Sequence, residues 1–144
     1  MMKYDHQNPF ARILRGELPS IRIYEDDATI AIMDIMPQSE GHVLILPKEP
    51  AIEIFELSIE SAAACIRTTH KVAAAVKAAL NPPGIMIAQL NGSAAGQTVP
   101  HVHFHVIPKH DGEPLKLHAA VLADQDLLRE VADRIIAALP ADTF

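Results

Sequence analysis

The run His101-Val102-His103-Phe104-His105-Val106-Ile107 constrains the backbone more tightly than any other stretch of this chain. Three histidines alternate with bulky apolar residues, and a period of two is the side-chain pattern of a β-strand, whose successive residues face opposite ways. A strand is therefore predicted over 101–107, with the three imidazoles on one face. Val102, Phe104 and Val106 would turn the opposite face to a core, leaving the histidines to line an open surface or cleft. Just upstream, Gly92, Ala94, Ala95 and Gly96 are too small to fill space, and Gly96 can adopt backbone angles closed to other residues. The expectation is a tight loop with exposed backbone N–H groups beside a row of imidazoles, a suitable place for an anion.

The rest of the chain narrows the function classes. Its 144 residues suit one ordinary domain with a single sizeable core, 1–144. Hydrophobic residues at 49% and charged residues at 21% give the balance of a folded soluble protein. A net charge of −6, with Lys and Arg scattered, excludes a sequence-independent nucleic-acid binder, which needs a basic stripe to displace counterions. Any bound phosphate must then be held locally by imidazoles, hydroxyls and backbone N–H groups. Cys65 is the only cysteine, so neither an intrachain disulfide nor a cysteine cluster for zinc is available. Its Ala-rich surroundings mark it as a small buried hydrophobe. The N-terminal MMKYDHQNPF lacks the apolar core of a signal peptide, and no run approaches the ~20 apolar residues of a membrane span. A cytoplasmic protein with no membrane partner is expected.

In chain order, Asn8-Pro9 followed by FARILRG predicts a short helix, with Asn8 as N-cap, Pro9 in the first position and Gly16 just past the end. Residues 21–24 and 28–33 read as two strands of a hairpin around the acidic turn Glu25-Asp26-Asp27. After a loop over 34–41, residues 42–46 read as a strand buried on both faces, closed by Pro47 and Pro50. The spacing of Ile59, Ala63, Ile66, Ala73, Val76 and Leu80 fits a long amphipathic helix over 58–80, and Asn81-Pro82-Pro83-Gly84 forbids its continuation. Residues 85–90 form the next strand. Asp124 can cap a last helix, about 124–139, whose Leu128, Val131, Ile135 and Leu139 share a stripe. Hairpins with helices inserted at intervals predict an α+β domain: an antiparallel sheet with one long and one or two shorter helices.

Three imidazoles on one face have two chemical uses. An H-x-H pair plus a third imidazole is the ligand set of some catalytic zinc sites. However, the motif contains no Cys, Asp or Glu, and three histidines in line on one strand span more than a single ion's shell accepts, so neither metal nor cofactor is expected. The favoured use is nucleophilic attack on phosphorus: a neutral imidazole displaces a leaving group to form a phosphohistidine, while its neighbours stabilise charge and protonate the departing group.

This pattern resembles the signature of the histidine triad (HIT) superfamily, His-φ-His-φ-His-φ-φ with φ apolar. Ala95-Gly96-Gln97-Thr98-Val99 precedes it, and Gly16-Glu17-Leu18-Pro19-Ser20, Asp34-Ile35-Met36-Pro37-Gln38 and Gly41-His42-Val43-Leu44 look like further landmarks of that family in order, over roughly 8–118. The match is best with its Hint-like bacterial branch. The resemblance implies a HIT-like fold and roles position by position. His103 would be the nucleophile that becomes nucleotidylated. His101 and His105 would contact phosphate oxygens and aid the leaving group, and His42 would complete the network from another strand. Gln97 and Thr98, with Gly96 and Asn91 nearby, would serve the phosphate or leaving group; Asp34 would accept from ribose hydroxyls; Ile32, Ile35 and Leu18 would form an apolar slot for the base.

Two departures stand out. Some bacterial relatives carry N-terminal cysteines that help bind a structural zinc, whereas Asn8, Pro9 and Phe10 stand here and no zinc is expected. Many relatives place Asn or Gln eleven residues before the first triad histidine; here that residue is Leu90, with Asn91 adjacent. His6, His70, His110 and His118 lack the motif's context and are read as surface or structural. The resemblance points to a hydrolase of purine nucleoside 5′-phosphoramidates or related nucleotide conjugates. Alternatives are a dinucleoside polyphosphate hydrolase and a nucleotide-binding regulator with vestigial activity. It also implies a homodimer, which the apolar strand 85–90 and the many alanines of 58–80 favour.

Overall fold

In the computed structural model, which describes residues 3–114 and 121–140, the chain begins with the expected short helix. This helix, α1 (Pro9–Leu14), starts where Asn8 Oδ1 accepts from the Ala11 N–H, and Pro9 occupies the first turn, where no N–H is needed. The early hairpin is β1 (Arg22–Glu25) and β2 (Thr29–Met33). Asp26 Oδ1 accepts from the N–H groups of Ala28 and Thr29, which tightens the acidic turn. β3 (Val43–Pro47) is buried at every position, as the unbroken apolar run predicts. Helix α2 (Ile59–Leu80) has Ser58 as its N-cap and ends at Asn81, which turns left-handed before Pro82. β4 (Gly84–Gln89), β5 (Phe104–Lys109) and α3 (Gln125–Ala138), capped by Asp124, complete the chain.

The five strands form one antiparallel sheet in the order β1-β2-β3-β5-β4, with helices added, an α+β architecture as expected. Its two faces are unequal. Ala31, Met33, Val43, Ile45, Phe104 and Val106 turn towards α2 and α3 and build the large core with Cys65, Val72, Val76, Leu128, Val131 and Ile135. Ile30, Ile32, Leu44 and Leu46 face the other way and are covered by Phe10 and Ile13 of α1. His105 pairs directly with Leu44 across β3–β5, so it points to this second, smaller core. None of the helices among the described residues is long and apolar enough to cross a membrane.

Two expectations are corrected here. The buried stripe of α2 is Ala64, Cys65, Thr68, Thr69, Val72, Ala75 and Val76, whereas Ile59 and Ile66 are 79% and 54% exposed. Of the predicted stripe, Val76 is buried and Ala73 and Leu80 pack against the large core, whereas the two isoleucines lie off the buried face. The true face is small, and Thr68 belongs there because its hydroxyl bonds that of Thr29. The second correction concerns the histidine strand, which starts at Phe104 and not at His101. The His101 N–H bonds Val99 O and the Val102 N–H bonds Ala51 O, which draws this segment off the β3 ladder. Alternation nevertheless persists: Val102 remains in the large core.

Gly41, just before β3, has φ of +93°, and a Cβ there would run into Leu80 Cδ1 and stand 3.2 Å from Pro108 Cγ. Gly41→Ala is expected to destabilise the fold by roughly 1–3 kcal/mol or more. Denaturant unfolding measures it, and an undiminished midpoint would contradict this placement.

Candidate active site

The side chains of His42, His103 and His105 meet on the sheet face that α1 covers. His42 immediately precedes β3 and is 2% exposed; its Nε2 lies 3.0 Å from His105 Nδ1. The His103 and His105 rings are 4.9 Å apart between centroids, and Phe10 meets the His103 ring edge-on at 4.9 Å. His101 is 0% and His103 6% exposed. His101 and His103 therefore do not line an open cleft, as alternation alone had implied, while His105 is half-buried. α1 and the residues before it roof the histidine face, a placement that no periodicity in the strand records.

Each ring's partners fix its proton. The main-chain N–H of Gln38 donates to His42 Nδ1, so a neutral His42 carries its hydrogen on Nε2 and donates to His105 Nδ1. His105 then carries its hydrogen on Nε2, which is buried without a partner among the described residues. His103 Nδ1 lies 2.7 Å from the carbonyl oxygen of His101, which can only accept, so the hydrogen is on Nδ1 and the lone pair is on Nε2. His101 Nε2 donates to Pro47 O at 2.9 Å, and its Nδ1 accepts from the Tyr4 hydroxyl at 2.6 Å. Both ring nitrogens of His101 are thus engaged. Its side chain is held between Tyr4 and Pro47, and its carbonyl holds His103 Nδ1–H.

Burial keeps all four rings neutral. Desolvation is the leading cause in each case, taking His42 down to about 3, His101 and His105 to about 4, and His103 below its ordinary value. Asp34 is pushed up to about 6, also by burial, partly opposed by the Met36 N–H that its carboxylate accepts. Its Oδ2 stands 3.6 Å from His42 Nε2; with His42 neutral this is no ion pair.

The remaining candidates divide. Asp34 and Ile35 lie on the loop that the His42 backbone closes, and Ile35 is 43% exposed. Ile32 is 2% exposed within the smaller core, a floor and not a wall, and Leu18 packs beside it. Gly96 takes φ of +104° as its type permits, and Thr98 is exposed. Gln97 and Asn91 both make hydrogen bonds within the protein. Gln97 donates to Ile52 O and Val99 O and accepts from the Gly92 N–H. Asn91 Oδ1 accepts from the Ile54 N–H, and its amide pairs with that of Gln89. Tyr4 and Phe10 were missed as neighbours of the triad, because nothing local links them to residues nearly a hundred positions away. His6, His70 and His110 are exposed, while His118 lies outside the described residues.

Asp34, His42 and His105 place ligand-type atoms within 4.8 Å of one another. A cation there would need the lone pair of His42 Nε2, but the Gln38 N–H at Nδ1 keeps the hydrogen on Nε2. In the N-terminal segment both ends of the Asn8 amide are hydrogen-bonded, and Cys65 is buried in the large core.

A family model described as the HIT domain matches residues 15–112. The adenosine 5′-monophosphoramidase of Schizosaccharomyces pombe is 40% identical over 104 residues, spanning 72% of this chain and 75% of that one. A crystal structure of a HIT-like protein involved in cell-cycle regulation from Bartonella henselae, with an unknown ligand, superposes with a TM-score of 0.88 at 42% identity, covering 95% of this chain and 100% of that one. A zinc-bound histidine triad family protein from Mycobacterium smegmatis gives 0.79 at 34% identity, covering 92% of each chain.

The neutral histidines set a pH dependence. All four are held below the ordinary 6.5, so as pH falls below that value the unfolded chain binds more protons and unfolding is favoured. Asp34, raised from 3.8 to about 6, acts oppositely, but as one group against four. Between pH 7 and pH 5 the melting temperature is expected to drop by roughly 5–15 °C in calorimetry. An unchanged or rising value would contradict the buried neutral rings.

Proposed function

Since the chain belongs to the HIT family, we propose that it is a nucleotide hydrolase that cleaves purine nucleoside 5′-phosphoramidates or related nucleotide conjugates through a nucleotidyl group on His103. One observation carries this reading: the His101 carbonyl holds His103 Nδ1–H, which leaves the lone pair on Nε2, and the His105 ring, 4.9 Å away between centroids, carries an Nε2–H with no partner among the described residues. A nucleophile and a donor for the charge that develops on phosphorus are thus set side by side and desolvated.

The chemistry balances in two steps. The lone pair of His103 Nε2 forms a bond to phosphorus, the P–N bond to the departing amine breaks, and that amine takes a proton from solvent. Water then attacks the same phosphorus, the bond to His103 Nε2 breaks, and the water's proton returns to solvent as the nucleoside 5′-monophosphate departs. His105 Nε2–H would bond a non-bridging oxygen throughout, and His42, donating to His105 Nδ1, keeps that hydrogen outward. Asp34 would accept from the ribose hydroxyls, with Ile35 and Leu18 against the base. The identity of the S. pombe relative as an adenosine 5′-monophosphoramidase supports this substrate class.

Rapid denaturation during turnover of adenosine 5′-phosphoramidate, followed by peptide mass spectrometry, is expected to find the adenylyl adduct on His103. His103→Gln should reduce turnover by about 10³-fold or more. An adduct on His101 or His105 would refute the assignment.

We also propose that the active form is a twofold homodimer. β4 is an edge strand with Ile87 51% exposed, and α2 leaves Ile59 and Ile66 uncovered, more apolar surface than a solitary edge tolerates. An isologous interface of standard size would bury roughly 1,200–2,000 Å². Light scattering is expected to give a mass near twice 15.7 kDa, shifting towards monomer in Ile66→Glu; a stable mass near 15.7 kDa for the unaltered chain would reject the dimer.

A further inference from the structure

Tyr4 lies outside the span that the family model matches, 15–112, and 97 positions from His101, yet its hydroxyl lies 2.6 Å from His101 Nδ1. The contact is well defined chemically. His101 Nε2 has already donated to Pro47 O, so Nδ1 of the neutral ring can only accept, and the phenol is the donor. Burial, the leading influence on Tyr4, raises its pKa above the ordinary 10.0, so the hydroxyl keeps its hydrogen across the working pH range.

The segment that carries Tyr4 is itself fastened. The main-chain N–H and the side-chain amide of Asn8 both donate to Asp5 O, and Arg15 Nη1 donates to His6 O. The Tyr4 ring stacks edge-on against His6 at 4.8 Å and His101 at 5.7 Å. Immediately beyond, α1 starts and Phe10 packs against the His103 ring. The N-terminal residues thus touch the triad at two points, one polar and one apolar.

We propose that Tyr4 is a positioning residue for the nucleophile. Its hydroxyl locks the His101 ring between two partners, and the His101 backbone, so fixed, presents the carbonyl that holds His103 Nδ1–H and aims Nε2. Without that donor, a buried imidazole nitrogen is left unpaired, and the ring can recover a partner only by turning, which breaks its bond to Pro47 O. A turned ring shifts the carbonyl on which the His103 orientation depends, and near-attack geometry tolerates little displacement.

The inference rests on His103 being the nucleophile, and the test separates the two ideas. Tyr4→Phe in the full chain retains the ring and its packing and removes only the hydroxyl. With adenosine 5′-phosphoramidate, kcat is expected to fall about 5- to 30-fold with KM within about twofold. Histidine ¹⁵N spectra need no substrate: the wild-type protein should show His101 protonated at Nε2, and the Phe variant should move its Nδ1 resonance downfield, towards a nitrogen that accepts no hydrogen bond. A purely packing role leaves kcat and the Nδ1 resonance as they are in the Phe variant, and that result overturns the proposal. So does a wild-type His101 that carries its hydrogen on Nδ1, whether or not the variant folds. Absence of turnover in the wild-type chain would sink the hydrolase reading, while the Nδ1 resonance would still decide the role of Tyr4 at His101.

Discussion

Three buried imidazoles and a half-buried fourth set close together need partners for their ring nitrogens, and the architecture supplies most of them. A neutral imidazole offers one donor and one acceptor. Main-chain groups supply most of the partners: Gln38 N–H to His42, Pro47 O from His101, His101 O from His103. Backbone atoms placed by a sheet cannot rotate away, so the tautomers inherit the rigidity of β3 and its flanks. Among the described residues, His105 Nε2–H is the donor of this network that has no partner. The site is therefore less a collection of reactive side chains than a set of hydrogen-bonding obligations met largely by the main chain, with the His103 and His105 rings 4.9 Å apart between centroids.

The two faces of the sheet divide the labour. α2 and α3 bury the larger face against aliphatic residues, which supplies the hydrophobic stabilisation of the chain. The smaller face, under a helix of only six residues, accommodates the polar rings. Strand pairing connects the two, because each residue of β3 that faces the large core is followed by one facing the histidines. Gly41 bridges them directly, packing against Leu80 of α2 while delivering His42 to the opposite side.

Much of this was legible in the residues themselves. The cap at Asn8, the helix stop at Asn81-Pro82, the buried run of β3 and the alternation around Phe104 are local signals, each governed by a few neighbouring torsions, and the structure follows them. The family was readable because its motif encodes a geometry. What escaped was whatever depended on a distant partner. Gln97 and Asn91 have side chains equally suited to a phosphate or to a carbonyl, and only the folded loop shows which carbonyls and amides they bond. Ile59 and Ile66 looked like core because hydrophobicity does not specify which side of an alanine-rich helix meets the sheet. Tyr4 carried no signal at all, since a contact spanning 97 positions leaves no trace in local spacing.

The burial of His101 between Tyr4 and Pro47 bears on how such a chain can change over generations. An exposed catalytic histidine can be lost without consequence to folding, so selection for stability alone would let the chemistry decay. Here an apolar replacement at His101 removes the partner of Pro47 O and of the half-buried Tyr4 hydroxyl, and one at His42 removes the acceptor of the Gln38 N–H. Purifying selection on mere foldedness would keep these two imidazoles in place even in a lineage that no longer needed the reaction. Inheritance of the scaffold therefore carries with it much of the machinery, and a descendant serving only as a binder would retain it as a matter of structural necessity.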